Sequence, residues 1–287
     1  MDKPSVSPIP KKVHLIWIGT NPYPDYFRLF LESFYTYLPE FQIRVWENKD
    51  LTKENFPKTW SYIQKAKRIH GKQMVDEEGN KMYRLEDEQP MTYSKWAQIT
   101  DLMRLEIVFR EGGYYFDTTF EILKPMYGML SKQKAKFVGC NEVPRFKDYP
   151  SLSNSFFGAT KKNPILKRLL SLPFLKTIDF QAFDVDNQSG PGYLRSGIYD
   201  SDDVKILPTL YMYPFIEPRD SFNEPPYRKS KPNQCHSEKQ KPNYTKLKGN
   251  KGYISYPCQK YPKSYALKHW QLGKSWIQYL NYMVKED

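Results

Sequence analysis

Apolar residues along this chain fall into short runs that switch between two periods. Val13–Ile18 (Val-His-Leu-Ile-Trp-Ile) is an apolar run closed by Gly19 and the turn-rich Thr-Asn-Pro-Tyr-Pro, and it reads as a buried first strand. From Tyr26 to Tyr37 the apolar positions Phe27, Phe30, Leu31 and Phe34 recur at helical spacing. Gln42–Trp46 returns to alternation as a second strand, and a helix is expected over Phe56–His70. Strand, helix, strand, helix is the order of an α/β sheet with crossover connections.

Gly71–Pro90 is polar and acidic, an excursion expected to fold back as a hairpin. Trp96–Arg110 is strongly helical, with Thr92 or Ser94 as its cap and Gly112-Gly113 as its stop. Tyr114–Phe116 then starts a strand that runs straight into Asp117. Lys136–Cys140 and Ser155–Ala159 are further strands, with a helix over Pro164–Leu175. Pro218–Lys251 is rich in Pro, Lys, Asn and Ser and lacks periodicity, so it reads equally as a lid or as disorder. Tyr253–Tyr256 and Ser264–Trp270 resume strand patterning before a last helix, Trp276–Val284. No internal repeat interrupts this order, so one domain is expected over 1–287, with polar insertions near 71–90 and 218–252.

Composition narrows the class of answer. Hydrophobic content of 39% with 16% aromatics is globular. The net charge is +12, but the basic residues are scattered except over Tyr227–Lys251. That scatter argues against a nucleic-acid groove, and membrane contact is expected only at the periphery. Cys140, Cys235 and Cys258 are odd in number and widely spaced, which suits a reducing compartment and a cytoplasmic location. No run approaches the roughly 20 apolar residues of a membrane span.

The candidate chemistry sits in residues 98–121, Gln-Ile-Thr-Asp-Leu-Met-Arg-Leu-Glu-Ile-Val-Phe-Arg-Glu-Gly-Gly-Tyr-Tyr-Phe-Asp-Thr-Thr-Phe-Glu. Asp101 and Arg104 are three apart and share a face of an otherwise apolar helix. They are either a mutual ion pair clamping that helix or a pair that hydrogen-bonds a ligand. Asp117 leaves the end of an aromatic strand, where ligands of open α/β sheets collect. A carboxylate there can hold a hard cation on a diphosphate, or simply form a turn. His14, alone inside a strand, reads as core. No carboxylate pair marks a glycosidase.

Thr100-Asp101-Leu102-Met103-Arg104, followed by Gly112-Gly113-Tyr114-Tyr115-Phe116-Asp117-Thr118-Thr119, resembles the DXD sugar-binding region of glycosyltransferases. It is similar to glycosyltransferase family 32, with the yeast initiating mannosyltransferases, and to the related glucosylating clostridial toxins. The family pattern is close to S-D-x2-R-x7-G-G-x-Y-x-D-x-D. Five further blocks resemble the family in order: Ile9–Gly19, Val45-Trp46-Glu47, Phe157-Gly158-Ala159 before Asn163-Pro164, Gly190-Pro191-Gly192, and Ala266–Trp270 with Ser275-Trp276.

The resemblance implies a GT-A type nucleotide-binding fold, α/β with a mixed central sheet flanked by helices. It implies a retaining hexosyltransferase, of the kind used in polysaccharide biosynthesis, that takes a sugar from a UDP- or GDP-sugar to a glycan or other hydroxyl acceptor with Mn²⁺ or Mg²⁺. On that reading Trp17, Ile18, Tyr115 and Trp276 contact the donor, Asp101 and Arg104 hold its sugar, and Asp117 binds ribose and metal. Thr119, His269 and Ser275 complete the metal and phosphate contacts. Front-face attack with the leaving phosphate as base is the family expectation, so no separate base is needed. Lys263, Lys268 and Lys274 flank the closing segment; each neutralises the leaving group or is plain solvated surface.

This sequence departs from the pattern at Thr119, which stands where the second carboxylate of DXD is usual. A neutral hydroxyl is a poorer ligand for a hard cation. Glu121 compensates, or Asp117 and His269 hold metal with the diphosphate, or the metal site is lost. A catalytically inactive sugar- or nucleotide-binding relic is the alternative function.

Overall fold

Alternate residues of each strand face opposite sides of a sheet, and here both sides are apolar, so helices must cover both. The computed structural model of the chain describes residues 9–75, 78–83, 88–90, 92, 95–142, 152–181, 185–198, 203–213 and 263–269. In chain order the elements are β1 (Lys12–Ile16), α1 (Asp25–Tyr37), β2 (Gln42–Trp46), α2 (Trp60–Ile69), α3 (Trp96–Glu111), β3 (Gly113–Phe116) and β4 (Phe120–Ile122). They continue with α4 (Tyr127–Leu130), β5 (Phe137–Asn141), β6 (Leu152–Ala159), α5 (Pro164–Leu169), α6 (Leu172–Leu175), α7 (Val185–Gln188), α8 (Pro191–Ile198), β7 (Val204–Leu207) and β8 (Ala266–Lys268).

The main sheet runs β2-β1-β3-β6-β5-β7, with β6 antiparallel to both neighbours and the other pairings parallel. The fold is therefore α/β with a mixed central sheet. β4 and β8 form a separate two-stranded ladder. Tyr115, Phe137 and Phe157 point into one core with α2, α3, α5 and α8. Val13, Leu15, Tyr114, Phe116 and Phe156 point into the other, with α1, β4 and β8.

Most predicted elements stand within a few residues, and the differences have local causes. The helix expected over Phe56–His70 begins at Trp60, because the N–H groups of Lys58 and Thr59 turn onto the buried Glu106 carboxylate of α3 at 2.9 and 2.8 Å. The helix expected over Pro164–Leu175 is two pieces. Pro173 has no N–H and its ring collides with the carbonyl four residues back, so the helix restarts at Leu172. Lys95 holds the N-cap position of α3 with no side-chain capping bond, Thr92 is bridged to Gln73 instead, and Ser94 lies outside the described residues. The excursion after Gly71 folds back through three isolated antiparallel bridges, Gln73 to Thr92, Val75 to Lys81 and Tyr83 to Pro90.

β4, β7 and α8 were not anticipated. Tyr253–Tyr256, the helix Trp276–Val284 and the whole of the 218–252 insertion lie outside the described residues. Among the described residues no helix is long and apolar enough to cross a membrane.

The α3–β3 junction is tight. Gly112 has φ +66 and Gly113 φ +103, and a Cβ on Gly113 would lie 2.7 Å from the carbonyl oxygen of Lys12. Only glycine reaches this geometry cheaply. His14 belongs to the core, as expected: Nε2–H donates to the Gly112 carbonyl at 2.9 Å and Nδ1 accepts from Trp46 Nε1 at 3.3 Å. Burial pulls its pKa down to about 4, so it is neutral in both roles.

Candidate active site

β1 lies between β2, which follows it in sequence, and β3, reached by a crossover on the other side. A reversal of this kind opens a crevice at the carboxyl ends of the strands. The register is parallel, with Ile16 beside Trp46 and His14 beside Tyr115. Trp17, Glu47 and Asp117 therefore leave three adjacent strands at one edge.

At the β1–β2 side the edge carries an open cleft of about 550 Å³, whose lining includes Trp17, Tyr23, Arg28, Glu47, Asn48 and Lys49. The Trp17 indole stacks on Phe27 with centroids 5.5 Å apart, and its N–H donates to the Asn21 carbonyl at 2.8 Å. Asn48 pins the loop after β1, accepting from the Gly19 N–H at 2.9 Å and donating to its carbonyl at 2.6 Å. Ile18 does not line this cleft; it packs against the core on the α3 side of the sheet.

At the end of β3 four charged side chains meet. Asp117 Oδ1 accepts from the Tyr115 hydroxyl at 2.7 Å and faces Arg104 Nη1 at 3.2 Å, while Oδ2 accepts from the Lys268 ammonium. Arg104 Nη2 lies 3.1 Å from Asp101 Oδ1, and Nη1 donates to the Asn154 carbonyl at 2.9 Å. Its guanidinium sits 4.5 Å over the Tyr115 ring. Asp101 accepts from Asn154 Nδ2 and Ser189 Oγ, both at 2.9 Å. Asp101 and Arg104 are thus at once an ion pair and part of the same cluster as Asp117.

Two carboxylates balance two cations. Burial raises the Asp101 carboxyl to about 6, with Asp117 adding to the rise, against the pull of Arg104, Ser189 and Asn154. Burial also opposes ionisation of Asp117, but Lys268 and Arg104 outweigh it and hold that carboxyl below its usual range. Burial likewise opposes the Arg104 charge, and Tyr115, Asp117 and Asp101 more than restore it. The Tyr115 hydroxyl is pushed well up, chiefly by burial, and stays a donor.

Among the described residues, the candidates His269 and Thr119 do not join this cluster. The His269 ring stacks on Phe30 and its Nε2 is 2.8 Å from Glu121, so the imidazole and the Glu121 carboxylate satisfy each other. Thr119 is buried and its hydroxyl finds no partner among the described residues. Ser275 and Trp276 lie outside those residues.

A divalent-metal centre fits this donor set poorly. Asp117 has both oxygens engaged by cations or a hydroxyl, Thr119 supplies no charge, and Glu121 is turned to His269. Among the described residues no group of three His, Cys, Asp or Glu side chains is arranged to hold a metal.

Sequence reasoning missed Asn154 and Ser189 as partners of Asp101, and left Lys268 undecided as possible surface. It is buried, with 9% of its side chain exposed. One signal was present: Ser153-Asn154-Ser155 is a polar triplet inside a strand otherwise built of Leu, Phe, Gly and Ala.

An open sheet with a charged cluster at its switch point defines the class, an α/β protein with a mixed central sheet. The family described as glycosyltransferase sugar-binding region containing DXD motif matches residues 24–137, which hold α1, α3, β3 and Asp117. Over that stretch the chain resembles such a region.

Among curated proteins, the chain is 29% identical over 175 residues to Toxin Afp18 of Yersinia ruckeri, covering 58% of this chain and 8% of that protein. It is 24% identical over 266 residues to a toxin of Photorhabdus asymbiotica, covering 86% of this chain and 9% of that protein. The chain thus spans less than a tenth of the length of these relatives. Among solved structures it is similar to the PaToxG glycosyltransferase, at 18% identity and a TM-score of 0.48 over 68% of this chain and 70% of that one. It is also similar to the UDP-bound glycosyltransferase domain of the YGT toxin, at 10% identity and a TM-score of 0.41 over 71% and 80%.

Proposed function

We propose that the chain transfers a hexose from a nucleotide-diphosphate sugar, a UDP-sugar or a GDP-sugar, to a hydroxyl of a glycan or other acceptor, with retention at the anomeric carbon, as one GT-A-like domain. The observation that carries this reading is the Asp101–Arg104–Asp117 cluster at the β1–β3 switch point, inside the matched sugar-binding region.

The residues divide the work by position. Trp17 and the cleft beside it receive the base, with Phe27 stiffening the indole. Asp117, at the strand end, faces ribose and diphosphate. Asp101 and Arg104, fixed by Asn154 and Ser189, hold the sugar hydroxyls, and Tyr115 fixes Asp117 through its hydroxyl. Preorganised dipoles and charges of this kind act where charge develops in the transition state.

Glycosyltransferases with a DXD region generally use a divalent metal. Mn²⁺ or Mg²⁺ enters no step here, because the donors around Asp117 are already engaged. The buried thiol of Cys140, set against the carbonyls of Leu207 and Pro208, suits a reducing compartment such as the cytoplasm.

The second reading, a binding relic, is favoured by the missing carboxylate at Thr119. Nucleotide release from a panel of UDP- and GDP-sugars separates the two. Turnover by the parent, lowered at least about 100-fold in Asp117→Ala, is expected. A relic binds nucleotide and releases none, and an Asp117→Ala variant as fast as the parent refutes the assignment.

A further inference from the structure

The proposed transfer leaves one electrostatic question open. The bond from C1 of the sugar to the β-phosphate oxygen breaks with its electron pair going to that oxygen. The acceptor hydroxyl oxygen bonds to C1, and its proton passes to the departing diphosphate. Negative charge therefore grows on the diphosphate, and a cation must face it in a site of low dielectric.

Three observations converge on one side chain. The position that usually carries the second carboxylate is Thr119, a buried hydroxyl without a partner among the described residues. The remaining carboxylate, Asp117, does not stand open to an ion, because the Lys268 ammonium bonds its Oδ2 from β8, 151 residues further along the chain. Lys268 is itself buried, and β8 is placed by pairing with β4, where Phe120 is opposite Lys268. Since β4 starts three residues after Asp117, the ladder that seats the ammonium is built from the same stretch that supplies the carboxylate.

We propose that Lys268 is the resident cation of the donor site, carrying on a tethered ammonium the diphosphate charge that a divalent ion would otherwise take. An ammonium has three donors in fixed tetrahedral directions, so it can bond a carboxylate and a phosphate oxygen together. Arg104, on the other oxygen of Asp117, holds that carboxylate in place while Lys268 faces the diphosphate. The Asp117 carboxylate thus orients a lysine rather than a metal. This inference rests on the sugar-transfer reading and adds a catalytic residue to it.

The test uses the full chain, with Lys268→Met and Lys268→Arg, in EDTA and in MnCl2. Three readouts are taken: UDP and GDP affinity by titration calorimetry, nucleotide release from the sugar-nucleotide panel, and the unfolding midpoint. In EDTA the parent is expected to bind nucleotide and to turn over within about twofold of its rate with Mn²⁺. Lys268→Met is expected to lose turnover about 100-fold and nucleotide affinity about tenfold in EDTA, with Lys268→Arg restoring most of both.

A merely structural clamp would shift the unfolding midpoint and leave nucleotide affinity per folded molecule unchanged, which overturns the proposal. So does a parent that is silent in EDTA and switched on saturably by Mn²⁺. Should Lys268→Met fail to fold, the parent's EDTA response and the Lys268→Arg variant still decide the matter. If the parent turns over but ignores Lys268, only this inference falls. If it neither binds nucleotide nor releases it under either condition, the sugar-transfer reading falls first and takes this one with it.

Discussion

Replacing Asp101 by Asn tests the buried cluster through its pH dependence. The side chain is 5% exposed and faces Arg104 Nη2 at 3.1 Å, yet burial lifts its carboxyl from 3.8 to about 6. Desolvation thus outweighs the attraction of Arg104, as is common for buried pairs. A rise of about 2 pK units corresponds to about 3 kcal/mol. Its sign follows from proton counts. Between about pH 4 and 6 the folded carboxyl keeps its proton while the unfolded one has lost it. The folded state therefore binds more protons there, and stability falls as pH rises through this window.

Asparagine has nearly the same shape and no charge to desolvate. The stability of the parent minus that of Asp101→Asn should fall by about 3 kcal/mol from pH 4 to pH 7, and then level off. Urea unfolding at half-unit pH steps measures both curves, with equal m-values as the control for two-state behaviour. Other titrating groups, Asp117 included, are shared by both chains and largely cancel in the difference. A difference that stays level across this range, or that grows with pH, would refute the desolvated placement of Asp101.

Two further outcomes are expected from local geometry. Gly113→Ala should cost at least about 3 kcal/mol in urea unfolding, combining backbone strain with the collision against Lys12; Gly71→Ala, at φ +77 but with nothing within 4 Å of the new Cβ, should cost only about 1 kcal/mol. A similar cost at both sites would show that the α3–β3 junction is looser than described. Thr119→Val should be neutral or raise stability by about 1 kcal/mol, because the buried hydroxyl it removes has no partner among the described residues. A loss of more than about 1 kcal/mol in thermal unfolding would mean that the hydroxyl is satisfied after all.

Local periodicity carried β1, α1, β2, α3 and β3 in the sequence, since each pattern depends only on which face meets the sheet. The pairing of Asp101 with Arg104 was equally visible, because a helix places residues three apart side by side. Asp117 at a strand end followed from the Tyr-Tyr-Phe run before it, and the collinear motifs pointed to the DXD region that the family match bears out. β4 and β7, of three and four residues, were not anticipated.

The tertiary structure alone decided what surrounds Asp117. Lys268 stands undecided in sequence, a cation for the leaving group or solvated surface, because a lysine's environment is set by whatever packs beside it. Here that is a ladder formed with residues almost 150 positions earlier. His269, just past the end of β8, bonds the Thr119 carbonyl through its N–H, and its ring is taken by Glu121 and Phe30. The ladder thus assigned the lysine, not the histidine, to the carboxylate. Sequence shows which residues alternate; only the pairing of β8 with β4 shows which of them meets Asp117.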